Sequence, residues 1–161
     1  MTRLHGRSSR GHRCLFSVPH GHWQTTTMIS ALRCTGVIEK ATMVFDGPTD
    51  ATVFRGYVER CLAPALRPGD VVILDNLAAH KVSGVAEAIE TVKAHLLYLP
   101  PYSPDLNPIE KLWSKIKAWL RRTGARQIPE LITTIGQAFR RVDPRECANY
   151  FASCGYARDG R

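Results

Sequence analysis

The sequence predicts a single α/β domain. Three observations carry that expectation. Two strand-like runs, Thr25 to Cys34 and Ala41 to Phe45, lie either side of the turn signal Thr35-Gly36, an uninterrupted apolar run stands at Val71–Leu74, and stretches of helical period lie between and after them. At 161 residues with 44% hydrophobic content, the chain can bury one ordinary core. No stretch approaches the roughly eighteen apolar residues of a membrane span, and the Arg-rich start lacks the apolar segment of a signal peptide. A cytoplasmic protein without a membrane partner is the expectation.

Residues 1 to 13, MTRLHGRSSRGHR, have no period and read as a loop or arm. His20-Gly21-His22 has no further ligand at helical spacing and reads as a turn rather than a metal pair. Thr25 to Cys34 is rich in β-branched and apolar residues, and Ala41 to Phe45 makes a second strand that stops at Asp46-Gly47-Pro48, so the two predict an antiparallel hairpin. From Thr49 to Leu66 the period changes. Val53, Phe54, Tyr57, Val58, Cys61 and Leu62 form one helical stripe, with Thr49 or Asp50 as cap and Pro68-Gly69 beyond its end.

Val71 to Leu74 is the pattern of a strand covered on both faces, which places Asp75 at the carboxyl end of a central strand. A short helix is expected from His80 to Val92, then a strand at Leu96–Leu99, then a stiff connection through Pro100, Pro101 and Pro104. Asn107-Pro108-Ile109-Glu110 opens the next helix. Its apolar stripe is Ile109, Leu112, Trp113, Ile116, Trp119 and Leu120, with Glu110, Ser114, Lys117 and Arg121 along the shoulder. Ile128 to Val142 and a run from Asp143 to about Cys154 complete the helices; they read as packing helices rather than a helix-turn-helix.

The formal charge is +8, and it is concentrated. Arg3, Arg7, Arg10, Arg13 and Arg33 lie in a first segment without acids, and Lys111, Lys115, Lys117, Arg121 and Arg122 crowd one helix. Such a surface attracts a polyanion, most simply nucleic acid. Five scattered cysteines form no C-x-x-C pair, which argues against a zinc ribbon or a disulfide framework.

Two carboxylates remain as candidates for chemistry. Asp75 follows a strand directly, yet a strand-end Asp is also a common turn residue. Glu110 stands at capping-box spacing from Asn107, so it could equally close the helix start by bonding back to the Asn107 amide. The residues alone leave both alternatives open.

LDNLAAHK followed by LPPYSPDLNPIEKLW resembles the catalytic core of the mariner-type DDE transposases, in particular their bacterial insertion-sequence branch. The separation of the two acids, 110 − 75 = 35, agrees with that family, and RLHGR, PHGHW, CANYF and GYA are similar to its insertion-sequence members. The resemblance implies a ribonuclease H-like fold, a mixed sheet flanked by helices that gathers three carboxylates around two divalent ions, magnesium or manganese. It makes Asp75 the second acid and Glu110 the third, both catalytic and both metal ligands. The partners it implies are transposon-end and target DNA, with a homodimer on paired ends.

The family's first acid stands on the opening strand, ahead of the segment that resembles RLHGR, and here that segment begins almost at Met1. The expectation is therefore one catalytic domain over residues 1–161, truncated at its amino end, lacking the first-acid strand and any separate DNA-binding domain. Asp46 and Asp50 are not expected to substitute, since Asp46 makes the turn with Gly47 and Pro48. Two functions follow: a transposase catalytic-core fragment, incomplete alone, or an inactive remnant that binds DNA or intact transposase.

Overall fold

A computed structural model describes residues 5–15, 25–125 and 127–156. The chain groups into two compact units, one of Gln24–Leu112 with Val142–Arg161, the other of Met1–Trp23 with Trp113–Arg141. Arg3 and the His20-Gly21-His22 motif lie outside the described residues.

In the larger unit, β1 (Thr26–Arg33) and β2 (Gly36–Asp46) form the expected antiparallel hairpin. β2 starts earlier than its apolar run suggests. Val37 and Ile38 pair with Leu32 and Ala31, while residues 39 to 42, with the charged Glu39 and Lys40, bulge opposite the single Ser30. The bulge turns Ala41 fully into the core, and the Tyr57 hydroxyl donates to its carbonyl at 2.8 Å.

The helical run after the hairpin is one path with three periods. α1 (Ala51–Tyr57) starts at Asp50, whose carboxylate accepts the Val53 amide at 2.8 Å. It continues as a π-helical turn at Val58–Leu62 and a 3₁₀ turn at Ala63–Ala65. Phe54, Tyr57, Val58 and Leu62 are buried, as the stripe required.

β3 (Val71–Leu74) and β4 (His95–Tyr98) pair in parallel, joined by α2 (Val85–Thr91). The expectation that β3 is central and covered on both faces is not met. Val72 is buried but Val71 is 58% exposed, so one face of the strand is open at its start, and among the described strands β3 pairs with β4 alone. The strands thus comprise an antiparallel pair and a parallel pair in separate ladders. Both pack on one core, to which the hairpin contributes Ile29, Ala31, Ile38 and Met43, and the parallel pair Val72, Leu74 and Leu96. A two-pronged ion pair ties the end of the first ladder to the start of the second: Arg33 Nη1 and Nη2 meet Asp70 Oδ1 and Oδ2 at 2.7 and 2.5 Å.

α3 (Pro108–Thr123) is a continuous helix, and the division between units falls between its Leu112 and Trp113. Leu112, Ile116 and Leu120 of its apolar stripe are buried. In the smaller unit, Trp113 meets Phe139 of α4 (Ile128–Arg140) edge to face, and the Arg141 guanidinium lies 4.1 Å from the Trp119 ring centroid. α5 (Pro144–Ser153) packs on the β1–β2 hairpin of the larger unit, which agrees with packing helices. No described helix is long and apolar enough to cross a membrane.

Candidate active site

Asp75 directly follows β3, as the sequence assigned, although that strand is not a central one. The Leu99 amide closes the last rung on the Leu74 carbonyl at 2.8 Å, and the chain leaves the ladder at the next residue. Oδ1 accepts the Leu77 amide at 3.3 Å, so part of the turn role is realised. The same oxygen lies 2.5 Å from His80 Nδ1, a close polar contact without the alignment of a hydrogen bond. Oδ2 carries neither a hydrogen bond nor an ion pair among the described residues, and the side chain is 39% exposed.

His80 was not singled out from the sequence, which placed it at the start of a helix. The structure instead makes a 3₁₀ turn at Ala78–His80 and begins α2 only at Val85. The imidazole stacks on Phe54 with centroids 4.0 Å apart, and the Tyr98 hydroxyl donates to the His80 carbonyl at 2.9 Å. Beside Asp75, the Asn76 Oδ1 is buried without a hydrogen-bond partner. The only sequence signal for His80 was its place within the LDNLAAHK string.

Glu110 resolves differently from its capping alternative. Four helices carry Glu at their third position, and α2 and α5 use it to close a capping box: Glu87 accepts the Gly84 amide at 2.6 Å and Glu146 accepts the Asp143 amide at 3.0 Å. At α3 the Asn107 amide is already bonded to the Pro104 carbonyl at 3.1 Å, within the 3₁₀ turn Pro104–Leu106. The prolines that stiffen this approach supply the acceptor that the Glu110 carboxylate would otherwise be. Glu110 is exposed and makes no hydrogen bond or ion pair among the described residues.

Three other acids of the larger unit, Asp46, Asp50 and Asp70, are committed. Asp46 accepts the Thr26 hydroxyl at 3.3 Å, Asp50 caps α1, and Asp70 holds Arg33 and the Arg67 amide. Arg33 hydrogen bonding is the main reason the Asp70 carboxyl titrates below the usual carboxylate range, against some desolvation. Asp75 and Glu110 are hard oxygen donors with free oxygens, the type that suits magnesium or manganese. They fit such an ion in type but not in number for a pair, since among the described residues no group of three or more His, Cys, Asp or Glu is arranged to hold a metal.

Of the cations assigned to DNA, Arg7, Arg10 and Arg13 are exposed in an irregular segment, and Lys111, Lys117 and Arg122 are exposed on α3. Arg121 is half-buried; so is Lys115, whose ammonium donates to the Arg141 carbonyl at 3.1 Å. Arg33, counted with the basic first segment, is held by Asp70 and is not a free cation.

A family model of the DDE superfamily endonucleases matches residues 1–133. No curated protein matches the chain. Among solved structures, it is similar to the Mos1 mariner paired-end complex with Mn (TM-score 0.77, 18% identity, covering 95% of this chain and 48% of that one). It is also similar to the Mos1 transposase paired-end complex with left transposon end (0.75, 18%, 95% and 47%). The catalytic domain of Mos1 mariner transposase gives 0.68 at 18% identity over 80% of this chain and 68% of that one. The likeness establishes a ribonuclease H-like fold, and the chain spans about half the length of the paired-end complex chains it matches.

Proposed function

Because the chain belongs to the DDE endonuclease superfamily, we propose that it is a catalytic-core portion of a DNA transposase, with Asp75 and Glu110 as two acids of its metal site. The observation that carries this reading is the state of Glu110. A carboxylate at a helix start is normally drawn into capping, and here it is left exposed and unengaged while its counterparts on α2 and α5 are used. Its partner acid ends a strand of the same unit with Oδ2 free.

Asp75 and Glu110 would hold magnesium or manganese, which in this superfamily's chemistry activates a water or a DNA 3′-hydroxyl and stabilises the leaving oxygen. The chain's own contribution is to fix two anionic oxygens on rigid elements, one at a strand end and one on the first turn of a helix, and to bind phosphate through exposed cations. A complete two-ion site needs a further carboxylate, and among the described residues none joins Asp75 and Glu110 in a metal-holding group. A strand ending in Asp, supplied by a longer form of the protein, would complete it. Pairing as a homodimer on two transposon ends belongs to the same proposal.

The test is nicking of a transposon-end duplex in magnesium or manganese by the form bearing the third acid. Nicking is expected, with loss on Asp75→Ala and on Glu110→Ala by a factor of at least about a hundred. Unchanged nicking in both variants removes them from the mechanism. The commitment of Asp46, Asp50 and Asp70 to structural bonds favours a second reading, a remnant that binds DNA or an intact transposase without cutting. No nicking even with the third acid, together with retained DNA binding or capture by intact transposase, selects it.

A further inference from the structure

We propose that His80 is a positioning residue for Asp75, holding its carboxylate so that Oδ2 faces a divalent ion. The proposal rests on the reading of Asp75 as a metal ligand. Three contacts hold His80, two on its ring and one on its backbone carbonyl. Its face lies on Phe54 of α1 at 4.0 Å, its own carbonyl is held by Tyr98 of β4 at 2.9 Å, and its Nδ1 meets Asp75 Oδ1 at 2.5 Å. Phe54 is buried at 4% exposure, so the surface under the ring belongs to the core.

An aspartate at a strand end has its carboxylate plane set by whatever grips its oxygens. The Leu77 amide grips Oδ1 weakly, at 3.3 Å, and would leave the group free to rock; a polar ring nitrogen in contact at 2.5 Å and backed by a core aromatic restricts that motion by close packing, although the pair is not aligned as a hydrogen bond. Both contacts fall on Oδ1, and the other oxygen is left for a ligand. Neighbours that hold a ligating carboxylate typically tune metal affinity by about tenfold or more.

The geometry makes the prediction atom-specific. Asn places an amide nitrogen at the same bond count from Cβ as Nδ1, Gln places it one bond further, and Phe keeps the stack on Phe54 but offers no donor. The experiment titrates manganese alone into ¹⁵N-labelled protein and reads paramagnetic broadening of the Asn76 and Leu77 amides. His80→Asn is expected to broaden at manganese concentrations close to those of the native chain. His80→Phe is expected to need about tenfold more, with amide dispersion retained because the stack is kept, and His80→Gln to fall with Phe. If His80→Phe disturbs the dispersion, the Asn and Gln pair carries the comparison by itself.

Asp75→Asn separates the two levels. Loss of broadening in that variant with an unchanged response in His80→Phe and His80→Gln overturns the positioning role and leaves the ligand role standing. Native broadening that Asp75→Asn leaves unaltered, or no native broadening, overturns both. A fall in thermal stability of the His80 variants with no change in manganese response shows a merely structural histidine and also overturns the proposal.

Discussion

Glu110 and Asp70 are both carboxylates of the larger unit, and they behave as opposites. Asp70 is gripped on both oxygens by Arg33 and also accepts the Arg67 amide at 2.7 Å, whereas Glu110 grips nothing. Asp70→Asn is therefore expected to lower unfolding stability by about 1–2 kcal/mol at neutral pH, read by urea denaturation. The pH dependence has a definite sign. The folded carboxyl titrates below its unfolded value, so its stabilisation is complete above roughly pH 5 and is lost as pH falls through the depressed folded value. The gap between native and Asp70→Asn should close in acid and stay constant above. Glu110→Gln, in contrast, should change stability by no more than about 0.5 kcal/mol. At this scale the sequence drew attention to Asp75 and Glu110 because they stand within an uncommon string. Arg33 was counted with the basic first segment, its pairing unseen, because its partner is 37 residues away and ion pairs leave no period in a sequence.

Elements were legible where a period or a cap is local. The α5 cap, Asp143 accepting the Arg145 amide at 2.7 Å with Glu146 reaching back, was written in Asp-Pro-Arg-Glu. Asp143→Ala should cost about 1 kcal/mol in thermal or urea unfolding. The same spacing at Asn107 did not produce a cap, because a 3₁₀ turn upstream had already satisfied the amide, and competition for one donor is invisible to spacing rules. The helix after Asp50 was legible in its stripe but not in its change of turn at Val58, since one apolar stripe suits both turns. Tyr57→Phe strands the Ala41 carbonyl inside the bulge and should cost about 1–2 kcal/mol by urea denaturation. The apolar run at Val71–Leu74 announced a strand correctly, but how many neighbours a strand has is decided by residues far from it.

For the whole molecule, the charge of +8 is the property that reaches furthest from any one residue. Arg7, Arg10, Arg13, Lys111 and Lys117 are exposed, and a duplex should bind with little sequence preference. Affinity is expected to fall steeply and log-linearly with salt, with a slope that reports several phosphates, read by fluorescence anisotropy between low and physiological ionic strength. Binding indifferent to salt would contradict the assignment of those cations.

The separation of the strands into two ladders has a consequence for handling the protein as well as for its chemistry. Backbone donors and acceptors along the outer sides of β1 and β3 are not paired with another strand among the described residues. Such rims are adhesive: they zip onto any extended segment at hand, including that of another molecule. The chain should therefore self-associate as its concentration rises, by a route that added salt does not reverse. Light scattering would see this, and a soluble peptide with alternating apolar residues should suppress it by occupying the rims first.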